Sequence, residues 1–354
     1  MTATLTGTAT NTTTVRHIAE YDRPLWQRLI LTREAAIIGL FVLVVAVAAA
    51  VIPNFGSQIT MTYLLLDMFP ILIIALPMTA IIVTGEIDLS VASVVGFSSV
   101  LTGVLTQAGV PFGTTIIIAI LAGLVCGLVN GLLITQVGLP SLAVTIGTMA
   151  LYRGLAVGLL GTTAVTDFPE WWTGLAKAKL GSTGIPVVML LFVALALVFA
   201  VLLHFTKFGR GIFSIGLSSE AARFSGVNVA RTKLVLFALS GAVAALAGIY
   251  YTLRYGSARG DNATGMEMQV IAAVLLGGVS IFGGRGALHG VIAGVLLIGV
   301  LASALRLANV TSDVINIITG VLLIAAVVSS SVFAAAKNRR RSGPKLTLAG
   351  TPTS

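Results

Sequence analysis

Charge is scarce in this chain: Asp, Glu, Lys and Arg make up 9% of its 354 residues, against roughly 25% in soluble globular proteins. So few charges cannot clothe a water-facing surface of that length, which excludes a soluble fold and a disordered chain. Cysteine is almost absent. The one thiol, Cys126, lies in an apolar run, so an intramolecular disulfide and a thiolate metal cluster are both excluded, and it reads as a small packing residue. The histidines His17, His204 and His289 are scattered and read as interfacial or satisfied side chains rather than ligands. No G-x-x-x-x-G-K-[ST], H-E-x-x-H or G-x-S-x-G occurs, so the sequence holds no phosphate-cradling loop and no assembled acid, base and nucleophile set.

Apolar residues and glycine fill the space. They amount to 57% and 39 residues respectively, with a mean hydropathy of +1.05. Apolar windows fall at about 36 to 52, 63 to 83, 88 to 106, 114 to 135, 140 to 161, 185 to 206, 234 to 253, 266 to 283, 287 to 305 and 313 to 333. Each is near the length that crosses a bilayer. The expected fold is therefore all-α, a polytopic membrane bundle of about ten transmembrane helices. Near 86 and 284 the Gly-rich connections are short, and a re-entrant or broken helix can replace a clean turn there.

The net charge of +9 does not point to nucleic acid, because the basic residues lie between and beyond the hydrophobic segments. They report topology. With the N-terminus inside, inner segments collect Arg16, Arg23, Arg28, Arg33, Lys207, Arg210, Arg223, Arg231, Lys233, Arg285, Lys337, Arg339, Arg340, Arg341 and Lys345. Outer segments hold Lys177, Lys179, Arg254, Arg259 and Arg306. That asymmetry predicts cytoplasmic termini. Residues 1–35 read as a polar cytoplasmic tail without a cleavable signal, 36–333 as the spanning domain and 334–354 as a basic cytoplasmic tail.

Two connections exceed a simple reversal. The outer one, 162 to 184, carries Trp171 and Trp172, either an interfacial belt or a docking surface. The inner one, 207 to 233, is basic and polar. An internal echo at a constant offset of 171 lays Gly123 on Gly294, Ser141 on Ser312 and Ile146 on Ile317, the kind of half-bundle repeat found in transport proteins. Small residues recur every fourth position at Gly123, Gly127 and Gly131, at Ser240, Ala244 and Gly248, and at Gly286, Gly290 and Gly294. Such ladders let helices approach closely in lipid.

Ionisable groups at membrane depth are costly and mark candidate paths. Asp67 stands near the outer start of the second window, at the interface or against a water-filled path. Glu86 and Asp88 lie in VTGEIDLSVAS, where Asp88 is placed to cap the following helix. Thr264 and Glu267 have the spacing of a capping box. Arg153 lies inside the fifth window and needs a partner, a cavity or a snorkelling route. Asn130 opens NGLLITQVGLPSLAVTIGTM. Asp67, Glu86, Asp88, Asn130 and Glu267 are the translocation-path candidates. If the chain were instead an ion-coupled secondary carrier, Asp67, Arg153 and Glu267 would form its relay.

In the inner loop, Glu220, Ala221 and Ala222 are followed after three residues by Gly226. This E-A-A-x-x-x-G spacing, with VTGEIDLSVASVVGFSS, the Asn130 segment and GMEMQVIAAVLLGGVSIFGGRGALHGVIAG, resembles the ribose, xylose, arabinose and rhamnose branch of ATP-binding-cassette importer permeases from about 36 to 333. The resemblance implies a bacterial inner-membrane permease related in architecture to the cobalamin importers. It implies a homo- or heterodimer of permeases with a separate ATPase below and a periplasmic or lipid-anchored binding protein above. ATP and magnesium would be held by that ATPase, with no cofactor in this chain. Residues Glu220, Ala221, Ala222, Arg223 and Gly226 then correspond to the coupling helix. The implied solute is a monosaccharide such as rhamnose or ribose, or alternatively the furanose-type autoinducer of a related branch.

Overall fold

The structure, a computed structural model, describes residues 33 to 322 together with 324 and 328. The tail with Arg16, Arg23 and Arg28, and the basic tail from 334, lie outside the described residues. Five helices form the first half: α1 Arg33–Val51, α2 Gln58–Val83, α3 Val91–Gln107, α4 Phe112–Thr135 and α5 Ser141–Leu160. After a short helix α6, Glu170–Lys177, come α7 Val188–Phe205, α8 Lys207–Leu217, α9 Ser219–Phe224, α10 Val229–Tyr255, α11 Met266–Leu276 and α12 Leu288–Leu307. A last helix, α13, covers Ser312–Leu322. Among the described residues, strand-like pairing is confined to isolated bridges at Val165 with Ala258 and Lys179 with Pro186.

Each apolar window contains a helix among the described residues, because backbone polar groups in lipid must be satisfied within their own segment. Among the described residues, six helices (α2, α4, α5, α7, α10 and α12) are long and apolar enough to cross a membrane, while the described parts of α1, α3, α11 and α13 are shorter apolar helices. The chain is an all-helical polytopic bundle. Prolines at 111 and 140 sit just before α4 and α5, where a missing N–H costs no helical bond.

The eighth window differs from expectation. Instead of running from 266 to 283, its helix stops at Leu276, after a rise of about 16 Å that falls short of a bilayer core. Gly278, Gly283 and Gly284 adopt positive φ in the connection that follows. These conformations are open to glycine and end the helix. The inner segment 207 to 233 is not a plain loop either, since α8, α9 and the first turn of α10 occupy nearly all of it. The outer connection carries α6, whose Trp172 stacks near Phe112 while Trp171 remains exposed.

Helix α2 is the axis of the bundle, buried almost throughout and packed against α7, α10, α11 and α12. Its partner α10 makes its most extensive contact with α4. There the backbones touch. A methyl added at Gly127 would strike the Phe237 carbonyl, one at Gly123 the Gly241 carbonyl, and one at Gly131 the side chain of Leu234. The position equivalent to Gly123 by the 171 offset, Gly294, is pressed in the same way against the Ala273 carbonyl of α11 and Gly277 just past its end. Gly286 lies against Val279 and Val83, and the carbonyl of Gly290 is what a methyl on Gly277 would meet.

Candidate functional site

The short connection between α2 and α3 enters the bundle rather than lying on it. Asp88 is buried, and its carboxylate accepts from the Ser90 backbone N–H at 3.0 Å, the Ser90 hydroxyl at 2.6 Å and the Ser240 hydroxyl of α10 at 3.0 Å. Ser90 Oγ in turn accepts from Asn130 Nδ2 at 2.8 Å. The hydroxyl of Tyr152 on α5 donates to the Cys126 carbonyl at 2.9 Å and lies 3.5 Å from Asn130 Oδ1. Side chains from four elements are thereby linked by direct hydrogen bonds into one buried polar network. Asp88 is not itself the capping residue expected from the sequence. Ser90 stands at the N-cap of α3, and its hydroxyl makes no cap bond because it is turned toward Asp88.

One face of the bundle carries the loop chemistry. Glu86 forms an ion pair with Lys233 of α10. The backbone of Ile87 is held to α5 through the hydroxyls of Ser141 and Thr145, each at 3.3 Å. The helix α9 begins at Ser218, whose hydroxyl accepts from the Ala221 N–H at 3.2 Å. It contains Glu220, Ala221, Ala222 and Arg223, with Ala222 buried, and Gly226 follows it at φ +84°. A cavity of about 330 Å³ separates α9 from the α4–α5 connection and α10, lined by Thr135, Gly138, Glu220, Arg223 and Lys233. Leu217, Phe224 and Phe282 are exposed large apolar side chains.

The opposite face is closed by a connection that folds inward. Arg153 donates from Nη1 to the carbonyls of Gly260 and Asn262, both at 2.8 Å, and from Nη2 to the Ala92 carbonyl at 3.3 Å. Asn262 donates to Ser99 Oγ at 2.9 Å, and Ser99 is 2.6 Å from Thr252. The route left open for Arg153 is thus a set of backbone carbonyls. The capping box expected at Thr264 and Glu267 does not form. Gly265 takes the N-cap at φ +84° with no side-chain cap bond, and Thr264 donates instead to the Asp261 carbonyl at 2.6 Å. Glu267 stays in the first turn of α11, half-buried.

Asp67 belongs to a separate cluster. It lies 3.2 Å from Arg254 and 3.8 Å from Arg306, with the Tyr255 hydroxyl at 3.4 Å. Arg254 also lies over the Tyr63 ring, 5.3 Å from its centroid, the geometry of a cation–π contact. A cavity of about 320 Å³ opens here between Tyr63, Asp67, Ser303 and Arg306. The structure therefore joins Asp88 to Asn130, gives Glu86 a cation and gives Asp67 two. It does not join Asp67, Arg153 and Glu267 into a relay by hydrogen bonds or ion pairs. Among the described residues no cluster of three His, Cys, Asp or Glu side chains could hold a metal.

Residues 60–327 match the family described as the permease component of branched-chain amino acid transport systems. The chain belongs to this permease family. Among its relatives, the autoinducer 2 import system permease protein LsrD of Yersinia enterocolitica is 39% identical over 272 residues, which cover 75% of this chain and 82% of the relative. The same-named protein of Photorhabdus luminescens is 39% identical, covering 75% and 81%. That of Yersinia pseudotuberculosis serotype O:3 is 38% identical with the same coverage. No solved structure matches the chain. These relatives place the permease in the sugar and autoinducer import branch of ATP-binding-cassette systems, as a multi-pass membrane protein.

Sequence reasoning counted Lys233, Arg254 and Arg306 only as topological charges and passed over Tyr152 and Ser90. The available signal was the rule that an acid at membrane depth needs a partner. Applied to Glu86 and Asp67, it calls for a cation at the matching end of another helix.

Proposed function

We propose that this permease forms the path for import of autoinducer 2, or a small polyhydroxylated solute of the same class, driven by a separate ATPase. What supports this solute over rhamnose or ribose is the similarity to permeases of autoinducer 2 import across three quarters of the chain. The chain works with a second permease, a substrate-binding protein on the outer face and an ATPase on the inner face, which carries ATP and magnesium. Both termini are cytoplasmic, with α9 on that side.

Coupling then follows from α9. A short helix anchored by the buried Ala222, with Ala221 and Phe224 exposed, enters a groove of the ATPase, while Arg223 meets acidic groups at its rim. ATP binding closes the partner ATPases, the coupling helices follow, and the permeases tilt between inward- and outward-open states. Of the five path candidates, Asp67 and Glu267 keep part of their surface open and border the path, while Glu86, Asp88 and Asn130 are taken up by contacts within the bundle. The permease binds its solute weakly, since a tight site would retard release.

The test is uptake of radiolabelled autoinducer 2 into vesicles holding the permease, its ATPase and its binding protein. ATP-dependent accumulation that L-rhamnose and D-ribose fail to compete supports the reading. Accumulation of ribose or rhamnose in preference to autoinducer 2 overturns the solute assignment.

A further inference from the structure

We propose that the connection from Val83 to Ser90 takes up the stroke of the coupling helix, gripped on either side of that helix by Gly216 and Lys233. This inference rests on the reading of α9 as the ATPase contact. It assigns positioning roles to Gly216, Gly284, Glu86 and Lys233, residues that touch neither ATPase groove nor solute in that reading.

The first grip is backbone on backbone. Gly216 stands near the end of α8, two positions before the Ser218 that caps α9. Any side chain there would collide with the Val83 carbonyl and the Gly284 backbone. Gly284 N–H itself donates to the Val83 carbonyl at 2.8 Å. A methyl on Gly283 would stand 3.0 Å from both the Gly216 carbonyl and the Gly85 nitrogen. Three chain segments meet here with no side chain between them, so a push on α9 arrives at Val83 without the compliance of a flexible side chain.

The second grip is electrostatic. Lys233, in the first turns of α10 beyond α9, pairs with Glu86, and both side chains are more than four-fifths covered. Enclosure shields the pair from the screening that makes exposed ion pairs weak. Beyond these two grips the connection is tied into the bundle. Ile87 is bonded to α5, and Asp88 and Ser90 are bonded to Ser240 of α10 and Asn130 of α4. Displacement of the Val83–Ser90 connection is therefore passed to the starts of α3 and α5, where packed elements switch between arrangements rather than deform gradually.

The experiment uses the full complex in nanodiscs, with Cys126→Ala and Ile87→Cys in the permease and a water-soluble maleimide as the probe. Trapping the ATPase with ATP and vanadate should change the labelling rate about fivefold or more, the lower end of usual coupling. Glu86→Lys and Gly216→Val should each abolish the change while the ATPase still co-purifies and hydrolyses ATP. Solute carried per ATP should fall with it, a ratio that a merely structural defect would leave alone. Combining Glu86→Lys with Lys233→Glu should restore both readouts. An undiminished nucleotide response in both single variants would overturn the grip. No response in the otherwise unaltered chain would overturn the proposal too, and loss of ATP-dependent uptake by that same complex is the separate result that would overturn the importer reading beneath it.

Discussion

Asp88, between α2 and α3, accepts a hydrogen bond from Ser240 of α10 across 3.0 Å, a contact between positions 152 apart in the chain. With the two Ser90 donors it accepts three in all. Replacing Asp88 by Leu removes the acceptor, and each donor left buried costs about 1–3 kcal/mol. Asp88→Asn keeps an acceptor of the same shape. We expect Asp88→Leu to lower the thermal midpoint of the detergent-solubilised protein well below that of Asp88→Asn. Equal midpoints would mean that the network carries no stability.

The helices were legible because apolar length alone forces helix in lipid, so each window contains one among the described residues, although that of 266–283 stops at Leu276. The short helix α9 was legible around Glu220, Ala221 and Ala222, ahead of Gly226, a spacing that survives without any tertiary knowledge. Pairing was not. Asp67 and Arg254 lie 187 positions apart, and nothing local tells an interfacial acid from a paired one. Thr264 and Glu267 show the limit of a local pattern. The connection before α11 is drawn inward by Arg153, and Gly265 at the cap takes a backbone conformation that leaves Thr264 bonded to Asp261. The early stop of α11 follows from the same kind of tertiary demand, with Gly284 bonded back to Val83.

Arg153 holds the inward connection by a two-pronged contact with the carbonyls of Gly260 and Asn262. A lysine offers a point charge in place of the planar fork. Hydrogen exchange of residues 257–265 should therefore rise in Arg153→Lys and rise further in Arg153→Met. Unchanged exchange in Arg153→Met would show that the clamp does not hold this segment.

Asp67 balances Arg254 and Arg306 at the face opposite α9. Asp67→Asn removes a charged acceptor worth about 1.5–3 kcal/mol. Its unfolding midpoint should fall, and Arg254→Met in the same background should restore part of the loss by removing the unpaired cation. Additive losses in the double variant would contradict a direct pairing.

Gly226 ends the coupling segment at φ +84°. A valine there strains the backbone by about 1–2 kcal/mol, enough to displace a short helix but not a whole bundle. Gly226→Val and Glu220→Arg should leave membrane insertion intact and remove stimulation of the ATPase. Wild-type stimulation in both would take α9 out of its proposed role.

The most direct measurement is solute entry into vesicles with and without the companion ATPase. Autoinducer 2 should accumulate only when ATPase, binding protein and ATP are all present, and stop when ATP is replaced by a non-hydrolysable analogue. Equal entry through the permease alone, or entry abolished by an uncoupler while ATP remains, would contradict an ATP-driven gate.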